Sequence, residues 1–264
     1  MRNAPSRREA RICGIVTDHL AEPHGRMRLH VGAALAEGAR VKPDEAQAHY
    51  LLRVMRAKIG DAVLLFNGRD GEWRARVADV TKKNCALVCE AQTGRQREVP
   101  DIWLCFAPIK KTPADYVVQK ATELGVRALQ PVFTRRTIVS RVNTARMRAN
   151  AVEAAEQSGR MSVPEVREPM DLENLLGKWP RDRKLLFCDE AGEAPSIAAA
   201  LRGQLASSWA VLTGPEGGFE RSERTLIRSL PFVIPVGLGA RILRADTAAL
   251  AALAIWQAMV GDWT

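Results

Sequence analysis

The chain is poor in the residues that hold metals. Four histidines and five cysteines are scattered over 264 residues. Cys85 and Cys89 come nearest to a pair, but with Leu87 between them they fall on one face of an expected strand, NCALVCE. With no second pair and no histidine beside them, a buried strand face is expected rather than zinc, and no metal is implied. Single, scattered thiols point to a reducing cytoplasm. Long apolar runs are missing too: nothing approaches the roughly 18 residues of a membrane span. Residues 1–26 hold Arg2, Arg7, Arg8 and Arg11 but no apolar signal core, and Glu9, Asp18 and Glu22 argue against a transit peptide. They read as a basic extension. No G-x-x-x-x-G-K-[ST] occurs, which excludes a P-loop. GLGARI (Gly237–Ile242) resembles half of a dinucleotide fingerprint, but Ile242 stands in place of the third glycine and too little chain follows for the βαβ unit.

What is present is apolar content and positive charge. Hydrophobic residues make up 47%, enough for a real core, and the length suits one large domain or two ordinary ones. The formal net charge is +9, with 18 Lys and Arg against 12 Asp and Glu in the first hundred residues and 21 against 18 in the rest. Arg outnumbers Lys 30 to 9. Cations gain affinity for phosphates by releasing counterions, and Arg suits bidentate phosphate contacts. A well-solvated basic surface and a GC-rich genome account for the same numbers, so nucleic acid stays open on charge alone.

Two patterns divide the chain. Residues 27–94 read as β-rich: MRLHVGA, GDAVLLFNG, GEWRARVADV and NCALVCEA are strand candidates, and a helix is expected over Asp44–Lys58. WRARVADV alternates, with Trp73, Ala75 and Val77 on one side and Arg74 and Arg76 on the other. This is the signature of a small barrel with one helix, which would serve as an RNA-docking module or merely carry a charged outer face. Gln92–Pro100 reads as the linker. Beyond it strands alternate with helices. Strands are expected at 101–109, 128–134, 184–189, 210–213 and 232–236. Helices are expected at Pro113–Leu124, Thr144–Gln157, Ser196–Leu205, Glu220–Ser229 and Asp246–Val260. That alternation predicts an α/β domain over 101–264 with a parallel sheet covered on both faces. The last helix is apolar nearly all round and must be buried on several sides, by the core and by a second subunit if there is one.

Two apolar runs end in glycine loops, GPEGG (Gly214–Gly218) and GLGAR (Gly237–Arg241). Glycine lets the backbone approach a ligand, and ligands in open α/β sheets sit at the carboxyl ends of strands. One such loop is a tight turn until shown otherwise; two of them, two elements apart, suit a flat polar ligand such as adenine. Asp246 at the start of the last helix complements its dipole, whereas Arg244 just outside it would hold a phosphate or a base. Glu156 and Arg160 stand at i, i+4, a favourable ion-pair spacing. Lys110–Lys111 and Arg135–Arg136 follow two strand candidates and read equally as functional edge or solvated surface.

In carrying GPEGGFE, LGARILRADTAALAAL, QKATELGV (Gln119–Val126) and AEQSGRMSVPEV (Ala155–Val166) together, the chain from Met27 onward resembles the RsmE family. These are SPOUT-class methyltransferases that make N3-methyluridine in 16S ribosomal RNA. The resemblance implies a PUA-like RNA-binding barrel at 27–94 and a SPOUT domain with a C-terminal trefoil knot at 101–264. It also implies a homodimer and S-adenosylmethionine as cofactor. Carried over residue by residue, cofactor binding falls on Leu212, Gly214, Glu216, Gly217 and Gly218, and on Val236, Leu238, Gly239, Ile242 and Leu243. Bulk at Gly217 is expected to abolish that binding. The chain departs from the family pattern in having Ala245–Asp246 in place of Thr–Glu, with a shorter acidic reach, and Ala240 in place of a frequent proline.

The reaction so implied needs no metal, because the methyl donor is already activated. Uracil N3 carries a proton and pairs within helices, so the base must be exposed, aligned and deprotonated. Arg244 is the first candidate to stabilise the uracil anion, with Arg241 behind it. Asp246, Glu216 or water would take the proton. Competing readings are ribose 2′-O-methylation by the same fold, a non-catalytic RNA-binding protein, and a nucleotide-binding α/β enzyme unrelated to RNA.

Overall fold

Alternating burial builds the first sheet. In β4 (Glu72–Val80) Ala75 and Val77 are buried while Arg74 and Arg76 face solvent and share Glu90. In β5 (Cys85–Gly94) Cys85, Leu87 and Cys89 point into the same core. With β1 (Arg28–His30), β2 (Arg40–Val41) and β3 (Ala62–Phe66) these strands form a five-stranded sheet in the order β1-β3-β4-β5-β2. The coordinates are a computed structural model describing residues 27–190, 194–204 and 207–263. The basic extension at 1–26 and the end of the helix expected to reach Leu205 lie outside them.

Two expectations for this half change. The helix expected over Asp44–Lys58 is α1 (Glu45–His49), opened by a capping box between Asp44 and Gln47, and it passes into a π-type turn over Tyr50–Val54. The wider turn keeps both Leu51 and Ala57 on the core, and the Ala57 N–H donates to the Leu51 carbonyl. The linker is shorter than Gln92–Pro100, because β5 runs on to Gly94 and pairs Gln92 with Trp73 and Gly94 with Glu72.

The second sheet is parallel throughout. It contains β6 (Asp101–Phe106), β7 (Ala128–Phe133), β8 (Glu165–Val166), β10 (Arg183–Cys188), β11 (Ser208–Thr213) and β12 (Val233–Val236), in the order β12-β10-β11-β6-β7-β8. β9 (Met170–Asp171) pairs with the end of β7. Both faces are covered. Leu104, Leu186 and Val211 pack with α2 (Lys111–Glu123), α3 (Thr144–Ser158) and α7 (Ala245–Val260). Leu185, Phe187 and Leu212 pack against α4 (Leu172–Gly177) and α6 (Arg221–Arg228). α5 (Ile197–Leu201) joins the first layer beside α7. β2, β8 and β9, of two residues each, are too short to show a pattern, and α4 was not anticipated. No helix among the described residues is long and apolar enough to cross a membrane.

Glu156 and Arg160 do not pair. Arg160 follows the left-handed Gly159 that ends α3, and its guanidinium donates to the Thr122 and Val126 carbonyls at 2.9 and 2.7 Å. Burial there lowers its pKa to about 10. Glu156 accepts the His30 N–H at 2.9 Å, and burial raises its pKa. The AEQSGR stretch is therefore where the first sheet docks on the second. Arg28 completes the joint: it pairs with Glu72 at 2.7 Å, donates to the Ala155 and Arg160 carbonyls at 2.7 and 2.9 Å, and lies 4.2 Å over the Phe66 ring. Its side chain is 8% exposed. Arg28→Ala leaves those acceptors unanswered and is expected to cost about 3 kcal/mol. Urea denaturation giving the wild-type midpoint would show that the joint contributes nothing.

Candidate active site

At the carboxyl edge of the second sheet, β11 stops at Thr213 and the chain turns back on itself. The Gly218 N–H donates to the Pro215 carbonyl at 2.9 Å, which closes the GPEGG loop. Phe219, buried and edge-on to Phe187 with centroids 5.0 Å apart, tucks under Gly214 so closely that a Cβ there would meet its ring at 2.7 Å. Gly218 has φ +66°, and a Cβ on it would lie 2.5 Å from the Glu190 carboxylate. Glu190 is held there by the Phe219 N–H at 3.1 Å.

The second loop leaves β12 at Val236. Gly237 is gripped from both sides by the segment entering α5: its N–H donates to the Pro195 carbonyl at 2.8 Å, and its carbonyl accepts the Ile197 N–H at 3.1 Å. Residues 238–244 then run to the N-terminus of α7, where Arg244 is the cap residue and exposed. Between the two loops lies a cleft of about 870 Å³, within the usual size of small-molecule sites.

Eight of the ten proposed cofactor residues line this cleft: Gly214, Glu216, Gly218, Val236, Leu238, Gly239, Ile242 and Leu243. Arg241, Arg244 and Asp246 line it as well. Leu212 is buried in β11 beneath it. Gly217 faces away, its added Cβ meeting the Arg136 side chain at 3.5 Å. The Asp246 carboxylate accepts the Thr247 N–H at 2.7 Å, so it folds over its own helix start.

Sequence reasoning missed the floor. β10 lies between β11 and β12, so Asp189 and Glu190 at its end sit between the two loops. The Asp189 side chain is fully buried and binds Arg224 at 3.1 Å and Arg228 at 2.6 Å, tying α6 to the cleft. The signal was visible, an acid pair at the end of KLLFC, but only the strand order gives it meaning. Arg135 and Arg136 both lie at this edge. Arg135 is engaged with Glu220 and Glu173, and its N–H donates to the buried Glu223. Arg136 donates to the Gly217 carbonyl at 3.0 Å and so braces the loop from outside.

Comparison with known proteins agrees with this geometry. Residues 96–257 match the model of the RNA methyltransferase domain, and residues 43–89 match the RNA methyltransferase PUA domain. A ribosomal RNA small subunit methyltransferase E from Rickettsia conorii is 30% identical over 86% of this chain and 93% of its own. That family is this chain's own: it is a member of the small subunit methyltransferase E group.

Its Synechocystis relative of the same name is 35% identical over 88% of this chain and 78% of its own length. The solved methyltransferase E of Neisseria gonorrhoeae, bound to S-adenosyl methionine, superposes with a TM-score of 0.82 at 29% identity, covering 91% of this chain and all of that one. A Legionella pneumophila protein solved with bound S-adenosyl methionine gives 0.81 at 28% identity, covering 90% of this chain and 99% of that one. The α/β half is thus the SPOUT-type fold that the resemblance implied. The residues present suit the same cofactor: two loops offering backbone polar groups, an apolar patch from Val236, Leu238 and Leu243, and carboxylates from Glu190 and Glu216.

Proposed function

We propose that this protein methylates uridine N3 in 16S ribosomal RNA, with S-adenosylmethionine held in the cleft between the GPEGG and GLGAR loops. The observation that carries the reading is the convergence of both loops and the α7 entrance on one cleft, in a chain of this methyltransferase family. When bound, the cofactor supplies an electrophilic methyl group. The protein's residues do the rest. Gly214, Gly218 and Gly239 bring main-chain groups to the ligand, while Val236, Leu238 and Leu243 give its flat portion an apolar bed. Arg244 and Arg241, which have no carboxylate partner among the described residues, offer positive charge where the uracil anion forms. Glu216 is exposed at the rim and Asp246 is turned onto Thr247, so water or either acid is within the proposal as proton acceptor.

In this reading residues 27–94 are the PUA-like RNA-binding unit and 101–264 the methyltransferase domain. The strand order β12-β10-β11, with Gly237 clasped by Pro195 and Ile197, supports a trefoil threading of the C-terminal part. α7 supports a homodimer: beyond its buried face, Leu250, Ala251 and Ala254 are half-buried and Met259 is 37% exposed. The small ribosomal subunit in the cytoplasm is the proposed setting.

Mass mapping of ribosomal RNA tests the function. A deletion strain is expected to lose one N3-methyluridine from 16S RNA, and the wild-type gene to restore it. Arg244→Ala is expected to bind cofactor normally by calorimetry yet methylate about a hundredfold more slowly. An intact modification in the deletion strain would remove the function. A lost 2′-O-methyl group in its place would move the protein to the ribose reading.

A further inference from the structure

The barrel carries a face that the methylation cleft does not use. Five of the eleven large apolar side chains exposed among the described residues are Tyr50, Val54, Met55, Ile59 and Val80. The first four fall within ten residues, on the π-type turn and the chain just after it. Arg56, at φ +54°, is the one non-glycine residue with positive φ among the described residues. Such strain persists only where the surroundings enforce it, and it gathers at working surfaces, as π-type turns do.

Charge sets this face apart from the rest of the barrel. Elsewhere four of the barrel's arginines are paired with acids, Arg28 with Glu72, Arg40 with Asp79, and Arg74 and Arg76 with Glu90, while Arg69 donates to the Gly32 carbonyl at 3.2 Å. On this face Arg53, Arg56, Lys58, Lys82 and Lys83 are exposed and none has a carboxylate partner among the described residues. Arg53 donates to the Lys82 carbonyl at 3.4 Å, so the β4–β5 turn lies beside the π-type turn and the cations form one group. Of the two nearest acids along the chain, Asp61 is turned onto the Lys58 N–H at 2.8 Å and Asp79 is paired with Arg40. Unpaired cations beside an exposed tyrosine suit a polyanion whose bases are open to stacking.

We propose that this face is a second RNA contact, separate from the methylation cleft, which grips the phosphate backbone of the substrate and stacks a base on Tyr50. It rests on the RNA methyltransferase reading and names where the barrel meets the RNA. Affinity set here acts on every substrate the cleft can methylate, and it is the salt-sensitive part of recognition.

The test titrates a 16S RNA fragment spanning the mapped uridine against full-length protein at several salt concentrations, with cofactor calorimetry as the folding control. In R53E/K82E/K83E, RNA affinity is expected to fall at least tenfold at 0.1 M salt. The slope of log K against log salt should become shallower by about 2, at roughly 0.7 per lost phosphate contact. Tyr50→Ala is expected to lose roughly fivefold or more with the slope unchanged. If the triple reversal does not fold, R53Q/K82Q/K83Q carries the same expectation with a smaller drop. Wild-type affinity and slope in the charge variants would overturn the contact. So would a change in sedimentation, rather than in RNA affinity, which would make the face a contact between copies of this chain. A wild-type protein that binds RNA but not S-adenosylmethionine would sink the methyltransferase reading instead, and the same titration would still judge the barrel.

Discussion

Gly218→Val is expected to abolish S-adenosylmethionine binding, with affinity falling at least about a hundredfold while the protein still folds. Two effects act together. A β-branched residue at φ +66° is strained by about 1–3 kcal/mol. Its Cβ would also lie 2.5 Å from a Glu190 oxygen that already accepts the Phe219 N–H. The loop must open or Glu190 must leave, and either change moves the cleft wall. The neighbouring glycine is the control. At Gly217 a Cβ meets only ordinary contact with Arg136, so Gly217→Ala is expected to leave affinity within about threefold of wild type. This shifts the expectation first attached to Gly217 by one residue, for a reason that only the loop's conformation supplies. Calorimetry on both variants decides it: equal losses would mean that loop stiffness, not the contact with Glu190, governs binding.

The strands were legible because burial leaves a trace in the sequence: alternation where one face is solvated, as in β4, and an unbroken apolar run where both faces are covered, as in β10. Leu185 and Phe187 face one core and Leu186 and Cys188 the other, as a doubly covered strand requires. The two glycine loops were legible for a related reason, since both stand where an apolar run ends. What the sequence could not display is order in space. β10, β11 and β12 follow one another along the chain, yet β10 lies between the other two. No local pattern encodes that exchange, so the acids at the end of β10 looked like any strand terminus. The Glu156–Arg160 pair failed for a similar reason. Helical spacing was right as far as Ser158, but Gly159 ends the helix, and both side chains turn to the more demanding unpaired groups at the joint with the first sheet.

Asp189→Ala carries the largest stability effect expected, about 3–5 kcal/mol, as for breaking a buried ion pair by removing one partner. The carboxylate is fully buried and answers two guanidinium groups that are only 27% and 34% exposed. Taking it away leaves both arginines of α6 half out of water and facing a void. α6 begins directly after the GPEGG loop, and its capping box also binds the Arg135 N–H through Glu223. Loosening that helix therefore loosens the loop, and cofactor affinity is expected to fall along with stability. Asp189→Asn keeps the shape and one acceptor, so its loss in urea denaturation should be smaller by about half. Leu226→Ala, on the exposed side of the same helix, should leave the midpoint within about 0.5 kcal/mol of wild type. An Asp189→Ala protein with the wild-type midpoint would show that the arginines are as well served by water, and that the cleft floor is held by β10 alone.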